Sequence, residues 1–475
     1  SSLSAGYGPG TWEVSAGVNP ANLEKTIELV RAELKRFVEQ GVSAEELADS
    51  QASLLREEKV RTLYAQMGFT TVIEPAILPH NALHAHLELA DIPIIDKGFL
   101  AVLGNDDFLL SALRDRESEN KIADYIGSTF SATRAIGVKC ANPGGVCACK
   151  ENVRSFTLDD VVPEYGLSSR QIFSKLQRAV AATKAPHPLH LHMSNLGLAG
   201  NIDTALATIE AAQGVPLHLA HAQFYAYGKE GKHGFSSSAA QFAEKINANP
   251  NITIDVGQVM FAQTVTVSTD VMKQLNSLPS GSPKKGAIFD GDGSGAGVVP
   301  YNYRVSDYYN ALQWAAGLEL FLLIDNPMQV FFTTDHPNGA PFTTYPDLFA
   351  LLMSADMRAQ WMSRLPADVL EMTNLPSIKR EYTMQEIAKM TRAAPRKLYG
   401  FKDRGRLTVG AAADVVVFDP ATIGSPERAS LVRDLPAGGA RMVAKAQGIS
   451  HVVVNGAALY CDGKHTGDFP GQVLR

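Results

Sequence analysis

The sequence predicts an α/β protein built as a TIM-type (β/α)8 barrel, followed by a small β-rich subdomain. From Gly68 onward, short β-rich runs alternate with helical stretches, and polar residues cluster at the ends of the runs. Alternating β and α segments form parallel sheets, and the catalytic groups of a TIM-type barrel project from the carboxyl ends of its strands. Seven runs are found, one fewer than a closed barrel needs, so one strand is missing or atypical. The runs are Thr70–Glu74, Gly98–Leu103, Ile136–Ala141, Leu189–Met193, Pro216–Ala222, Ile252–Gly257 and Val330–Thr334.

The flanking segments predict two further parts, so that the chain divides into residues 1–56, 57–397 and 398–475. The first part is helical from Asn19 to about Ser50, because Asn19-Pro20 supplies a cap and a first-turn proline before apolar residues at helical spacing. Gly41 ends that helix, and a capping box from Ser43 to Glu46 begins a second one. In the last part, residues 405–410, 413–419 and 451–456 read as short strands joined by turns.

Composition narrows the functional class. The chain has 45% hydrophobic and 19% charged residues and a formal net charge of −6, which describes a soluble globular protein and predicts neither nucleic acid nor membrane as a partner. Four cysteines make no disulfide framework, and no basic-then-apolar leader opens the chain, so a cytoplasmic location is predicted. Charged residues and Pro327 interrupt the most apolar stretch, residues 312–332, which predicts a helix followed by a buried strand.

Four of the predicted strands carry residues that suit a metal site. The Ile136 run carries Lys139, the next two runs carry His190 with His192 and His218 with His221, and Asp335 closes the last. Side chains two positions apart on a strand share a face, so the histidine nearer the carboxyl end reaches the barrel mouth. We therefore select His192 over His190, and His221 over His218.

These residue types match the needs of a hydrolytic metal centre. Imidazole and carboxylate suit zinc and similar ions. A neutral lysine amine, favoured by desolvation and a nearby cation, adds carbon dioxide to give a carbamate that can bridge two metals. A metal lowers the pKa of bound water, the resulting hydroxide attacks a carbonyl carbon, and Asp335 moves the proton to the leaving nitrogen.

Other readings of the same residues stay open. A histidine on a barrel strand is more often an interior packing residue, and an Asp close to Pro337 and Asn338 is more often a turn former. Their joint appearance, in the order Lys, His, His, Asp at strand ends, favours the metal site. Residues just past these strands are predicted to bind substrate, with a loop role as the alternative: Asn195, Gln223, Tyr227 and Gln258.

The central motifs resemble a known family. Residues 68–76 (GFTTVIEPA), 92–98 (IPIIDKG), 138–145 (VKCANPGG), 254–258 (IDVGQ) and 333–343 (TTDHPNGAPFT) are similar to the amidohydrolase superfamily. Within it, they resemble the group formed by the alpha subunits of formyltransferase/hydrolase complexes and the corresponding subunits of formylmethanofuran dehydrogenases. The motifs are long and extend over most of the predicted barrel.

The resemblance implies hydrolysis of an N-formyl group on a methanofuran-type carrier, with release of formate, in one-carbon metabolism. It implies two divalent metal ions, zinc by expectation, and further subunits of a formyltransferase/hydrolase-type complex as partners. By matching motif, Lys139 resembles the carbamylated bridging lysine, His192 and His221 resemble metal ligands, and Asp335 resembles the catalytic aspartate.

The chain departs from the family at its two ends. Nothing ahead of Gly68 corresponds to the family's first strand and its His-x-His pair, and His84-Ala-His86 has that spacing at a later position. Residues 1–55 resemble part of a pitrilysin-type peptidase without its metal motif, and residues 439–475 resemble N-acyl-D-amino-acid deacylases. The alternatives are therefore a deacylase of N-acyl amino acids and a non-catalytic carrier-binding or scaffolding subunit with an incomplete metal site.

Overall fold

A computed structural model describes residues 2–3, 12–13, 23–41, 63–150, 156–267, 288–289, 297–424, 430–433, 441–443 and 445–475. The chain forms two compact units, one of residues 1–60 with 432–441 and the other of residues 61–431 with 442–475. The predicted boundaries at residues 56 and 397 stay predictions.

The larger unit is organised around a parallel sheet of seven strands, as the seven β-rich runs predicted. The strands, called β1 to β7 here, are Thr71–Ile77, Asp96–Leu103, Gly137–Ala141, Leu189–His192, Leu217–Leu219, Ile252–Asp255 and Val330–Phe331. They lie side by side in chain order, and every neighbouring pair is parallel. In the described residues β7 and β1 are the edges of this sheet and do not pair with each other. Within the described residues the sheet therefore has one strand fewer than a closed barrel, as the count of runs predicted.

Helices follow most strands and cover the sheet. The helix Ser169–Ala182 begins at a capping box formed by Ser168 and Gln171, which satisfies backbone N–H groups that a helix start leaves free. The helices of this unit are Leu63–Gln66, Ala82–Ala90, Asp107–Arg114, Glu119–Thr133, Gly145–Lys150, Ser169–Ala182, Ile202–Ala211, Ala239–Asn247, Tyr308–Leu323, Tyr345–Met353, Ala355–Met362, Ala367–Leu370, Met384–Ala388 and Ala394–Tyr399.

The most apolar stretch forms a buried helix and then a strand, as predicted. Tyr308–Leu323 is buried on nearly all sides, and β7 follows it. Among the described residues, no helix is both long and apolar enough to cross a bilayer. The cytoplasmic location stays a prediction.

A small antiparallel sheet closes the chain. Its strands are Val415–Phe418, Ile449–Val454, Ala457–Cys461 and Lys464–His465, in that order. The predicted strands at residues 413–419 and 451–456 are thus confirmed. The predicted strand at 405–410 is wrong: Gly405 and Gly410 take positive φ angles of 71° and 86°, and Leu407 and Val409 are exposed, so the segment turns instead of pairing.

This small sheet is joined to the central sheet by a buried carboxylate at the start of β2. Asp96 is fully buried and forms an ion pair with Arg404. Its Oδ1 accepts hydrogen bonds from Asn455 Nδ2 at 2.9 Å and from the backbone N–H of Gln472 at 2.7 Å. Three separate segments of the C-terminal region therefore satisfy one carboxylate of the central sheet.

The smaller unit contains the helix Leu23–Gln40, which confirms the predicted N-terminal helix; Gly41 follows it at φ 72°. The predicted second helix from Ser43 lies outside the described residues.

The remaining short strands of the chain are Ser2–Leu3, Trp12–Glu13, Val161–Val162, Leu167–Ser168, Tyr227–Gly228, Ser236–Ser237, Gln263–Val267, Ile288–Phe289, Gly297–Asn302, Ser430–Val432 and Arg441–Val443.

Candidate metal centre

Strand register places the polar side chains of β3 to β6 in layers. Lys139 pairs with His190, His190 with His218, and His218 with Thr253. Because paired residues of neighbouring strands point to the same face of a sheet, these four side chains form one layer on the face that lines the cavity. His192 and Asp255 stand two positions further along β4 and β6, on the same face and one level nearer the carboxyl ends.

The two histidines selected from the sequence meet at the strand ends. His221 Nε2 lies 3.0 Å from His192 Nδ1. His221 follows β5 in a left-handed conformation, φ 35°, which is uncommon and strained for a residue other than glycine. The Asp255 Oδ1 atom accepts the His221 backbone N–H at 2.7 Å and holds this conformation.

The two histidines that the sequence set aside form a second cluster with Asp255. His218 Nε2 lies 3.3 Å and His190 Nε2 lies 3.5 Å from the same atom, Asp255 Oδ2. One ligand atom from each of the three residues falls within 4.8 Å of the other two. The structure therefore holds histidines at both levels of β4 and β5.

Asp335 lies in the loop after β7, on the other side of the same cavity. Its backbone also takes a left-handed φ, 51°, and its Oδ2 accepts a hydrogen bond from Asn338 Nδ2 at 3.0 Å. Burial raises the pKa of Asp335 to about 7, and the nearby Lys139 charge opposes that rise. A carboxyl group with a pKa near neutrality can both accept and release a proton.

Burial favours the neutral form of two imidazoles of the site, those of His190 and His221. Burial, reinforced by the neighbouring His218, holds the pKa of His190 well below its ordinary value, and burial with His192 does the same for the pKa of His221. The Nδ1 atoms of His190 and His221 are buried and lack a hydrogen-bond partner within the described structure. Neutral imidazoles with spare nitrogens beside carboxylates are the donor set that a divalent transition metal needs, so the residues present fit the metal that such a site implies.

A cavity of about 430 Å³ brings these groups together. Lys139, His221 and Asp335 line it, together with His190, His218 and Asp255. His192 is not among the lining residues, but it contacts His221, which is. The cavity also borders Glu74 on β1 and the aromatic residues near β7, so it reaches both edge strands of the sheet that the structure describes.

The four predicted substrate-binding residues pack behind the cavity instead of lining it. Gln223, Tyr227 and Gln258 are fully buried. Gln223 Nε2 donates to Tyr227 Oη, and Gln258 Nε2 donates to the carbonyl of Trp314 at 3.0 Å. Asn195 Nδ2 lies 3.3 Å from Thr204 Oγ1. Their contacts fix loops in this geometry, and a direct contact with substrate stays a prediction.

Two further observations concern Asp255 and the pair His84 and His86, which has the His-x-His spacing. Asp255 is not among the residues selected from the sequence, and its place on the inner face follows from the pairing of Thr253 with His218. His84 and His86 lie on the helix Ala82–Ala90; His84 is exposed, and His86 Nε2 lies 2.8 Å from the carbonyl of Thr133. Neither of them lines the cavity.

Comparison with known proteins agrees with this architecture. The profile of the amidohydrolase family matches residues 15–460. The chain is 51% identical over 360 residues to the A subunit of the formyltransferase/hydrolase complex of Methylorubrum extorquens, covering 75% of this chain and 66% of that protein. It is 35% identical over 369 residues to the FwdA protein of Methanocaldococcus jannaschii, covering 75% of this chain and 65% of that protein. The chain thus spans about two thirds of the length of these relatives.

A solved structure shows the same fold. The crystal structure of the Methylorubrum extorquens formyltransferase/hydrolase complex with methylofuran superposes with a TM-score of 0.78 at 45% identity. The superposition covers 87% of this chain and 73% of that chain. Together with the family profile, which spans most of the sequence, this establishes that the chain is a member of the amidohydrolase family.

Proposed function

We propose that this chain is a metal-dependent hydrolase that removes a formyl group from the nitrogen of a methanofuran-type carrier and releases formate. The observation that carries the proposal is the convergence of Lys139, His221 and Asp335 on one cavity at the carboxyl ends of a parallel sheet. The similarity to one component of a formyltransferase/hydrolase complex, whose solved structure contains methylofuran, supports the formyl carrier as substrate. The same similarity supports other subunits of such a complex as partners.

Lys139, His192, His221 and Asp335 would hold two divalent ions, with zinc favoured by the nitrogen and oxygen donors. Such ions polarise the formyl carbonyl and lower the pKa of bound water. Lys139 contributes as a carbamate, which turns a cationic side chain into an anionic ligand. Asp335 takes a proton from the attacking water and delivers it to the carrier nitrogen as the C–N bond breaks.

The scaffold of the chain orients these groups. Asp255 holds the His221 backbone, and Asn338 holds the Asp335 carboxylate. His221 and Asp335 each follow a strand in a left-handed conformation. Because strained backbone persists only where surrounding contacts enforce it, this arrangement supports a site selected for its geometry.

The test measures formate released from a formylated methanofuran-type carrier by the zinc-loaded full chain, alone and with its partner subunits. Asp335→Asn is expected to lower kcat by about 10²–10⁴-fold, the range for loss of a general acid–base group. The matched control is Asp325→Asn, at an exposed aspartate outside the cavity, which is expected to leave kcat unchanged.

Three outcomes would contradict the proposal in different ways. Amino-acid release from N-acyl amino acids without formate release would assign the chain as a deacylase. Absence of both activities, with no metal bound at Lys139, His192, His221 and Asp335, would assign it as a non-catalytic subunit. Equal activity of Asp335→Asn and the unchanged protein would remove Asp335 from the mechanism.

A further inference from the structure

One level below His192 lies a pair of histidines that the proposed function does not use. His190 and His218 are 5% and 2% exposed and stand on the inner face of β4 and β5, one level below the strand ends. Asp255 reaches both of them from β6. A packing role alone does not explain why two buried imidazoles share one carboxylate oxygen.

The distances in this cluster suit a shared ion better than a shared proton. The imidazole nitrogens lie 3.3 Å and 3.5 Å from Asp255 Oδ2, longer than the usual 2.9–3.0 Å of an N–H···O hydrogen bond. Tetrahedral zinc, with bonds of about 2.0–2.1 Å to nitrogen and oxygen, separates its ligand atoms by about 3.4 Å. The distances from Asp255 Oδ2 to the two imidazole nitrogens therefore match two edges of a zinc coordination tetrahedron, and the two nitrogens lie within 4.8 Å of each other.

The outer contacts of His218 and Asp255 fix these two residues in the orientation that a metal ligand needs. His218 Nδ1 lies 2.8 Å from Thr253 Oγ1, which leaves Nε2 directed at Asp255. Asp255 Oδ1 is bonded to the backbone of His221, which leaves Oδ2 directed at the imidazoles. Metal-bound histidines and carboxylates commonly have such anchors on the atom that does not face the ion.

We propose that His190, His218 and Asp255 bind a divalent transition-metal ion of the zinc class, at an interior site distinct from the centre of Lys139, His192, His221 and Asp335. Two imidazoles and one carboxylate are a donor set that zinc and neighbouring late transition metals accept. All three residues border the cavity, so the fourth position is open to water. The ion also neutralises the partly buried Asp255, whose other oxygen supports His221.

The first test locates ions directly. The full chain is stripped with a chelator, reloaded with Zn²⁺ and crystallised, and an anomalous difference map is recorded at the zinc edge. The expected result is a peak about 2.0–2.2 Å from His190 Nε2, His218 Nε2 and Asp255 Oδ2. Absence of a peak there in the zinc-loaded protein overturns the proposal, whatever the map shows at His192 and His221.

The second test counts ions per chain in solution by elemental analysis. His218→Gln is expected to lose one zinc equivalent and the anomalous peak beside His190 and Asp255. His192→Gln is expected to keep that peak, which separates this site from the proposed catalytic centre. The control His233→Gln removes a histidine that pairs with Asp368 away from the cavity, and it is expected to bind as many ions as the unchanged protein.

A milder variant covers the case in which His218→Gln fails to fold. Thr253→Val keeps all three ligands and removes only the hydroxyl on His218 Nδ1. Loss of such an anchor typically weakens metal binding by about 10–100-fold, measurable by competition with a chromogenic chelator. The proposal fails if Thr253→Val and the unchanged protein bind the ion at His190, His218 and Asp255 equally tightly. It also fails if His218→Gln folds and loses no ion, because the three residues then form a hydrogen-bonded triad.

Discussion

Strands β3 to β6 and the edge strands β1 and β7 differ in how they are held. Strands β3 to β6 are each hydrogen-bonded on both sides, and β3 to β5 carry Lys139 and the histidines His190, His192 and His218. Between the edges, aromatic side chains meet instead: the rings of Tyr64 and Phe342 stack with centroids 3.9 Å apart, and Phe69 and Tyr345 lie 4.9 Å apart. The difference teaches that backbone pairing fixes the register of the polar side chains, whereas side-chain packing supports the side on which β1 and β7 have no strand between them in the described part of the chain.

The largest effect is expected on the aromatic side. Phe342 is mostly buried and stacks on Tyr64, so Phe342→Ala leaves a cavity where no backbone ladder can compensate. We expect the free energy of unfolding to fall by about 3 kcal/mol, near the low end for a buried Phe→Ala change. Denaturant unfolding measures it, with Phe108→Ala, at a side chain that is 63% exposed, as control.

An equal loss for Phe342→Ala and Phe108→Ala would show that the aromatic packing does not support the open side. The comparison between the two sides of the sheet would then rest on the polar residues alone.

The next effect is expected on the polar side and concerns geometry rather than stability. Gly257 has φ 68°, and a Cβ added there would lie 2.5 Å from His221 Cβ. Gly257→Ala should therefore displace His221 and lower kcat/KM for formate release by about 100-fold, as a misplacement of about 1 Å can do. Steady-state kinetics measures this change.

Gly214→Ala is the matched control for Gly257→Ala. Gly214 has a similar φ of 78°, but an added Cβ there meets no atom within 4 Å. Both variants carry the same backbone strain, so only displacement of His221 separates them. Similar kcat/KM values for the two variants would contradict the role given to His221.

The smallest effect concerns a buried lysine next to the open side. Lys97 on β2 is 1% exposed, and burial lowers its pKa to about 8. The lowered pKa means that the folded state carries a penalty below about pH 8, and this penalty disappears as pH rises towards the ordinary lysine value of 10.5. Lys97→Met is therefore expected to raise the free energy of unfolding by about 2–3 kcal/mol at pH 7 and by much less near pH 10.5.

Denaturant unfolding of Lys97→Met at the two pH values measures this difference, with Lys402→Met, at an exposed lysine, as control. A gain that does not depend on pH would indicate improved packing rather than removal of a buried charge.

Much of the fold was predictable because its signals are local. The seven runs that the sequence marked as strands are the seven strands of the central sheet, and Gly41 ends the first helix as expected. The prediction of a strand at residues 405–410 was wrong because an alternating apolar pattern does not show whether a neighbouring strand exists. Leu407 and Val409 have the residue types of a strand but lie exposed in a turn.

The site was less predictable because it depends on the level of each side chain along its strand and on whether each loop turns towards the cavity. Alternation places His190 and His192 on the same face of β4 but does not show that each level forms its own cluster. Gln223 and Gln258 come directly after strands, yet they bond to Tyr227 and Trp314 in the protein interior. Sequence position alone does not tell a loop that enters a cavity from one that packs behind it.

The buried carboxylate of Asp96 has a consequence for any attempt to separate the C-terminal region at residue 397. Removal of Arg404, Asn455 and Gln472 would leave a negative charge stranded at the base of β2. It would also uncover Ile94 and Ile95, which pack against the last sheet. A truncated chain should therefore aggregate, and the two parts should be stable only when they are made as one polypeptide.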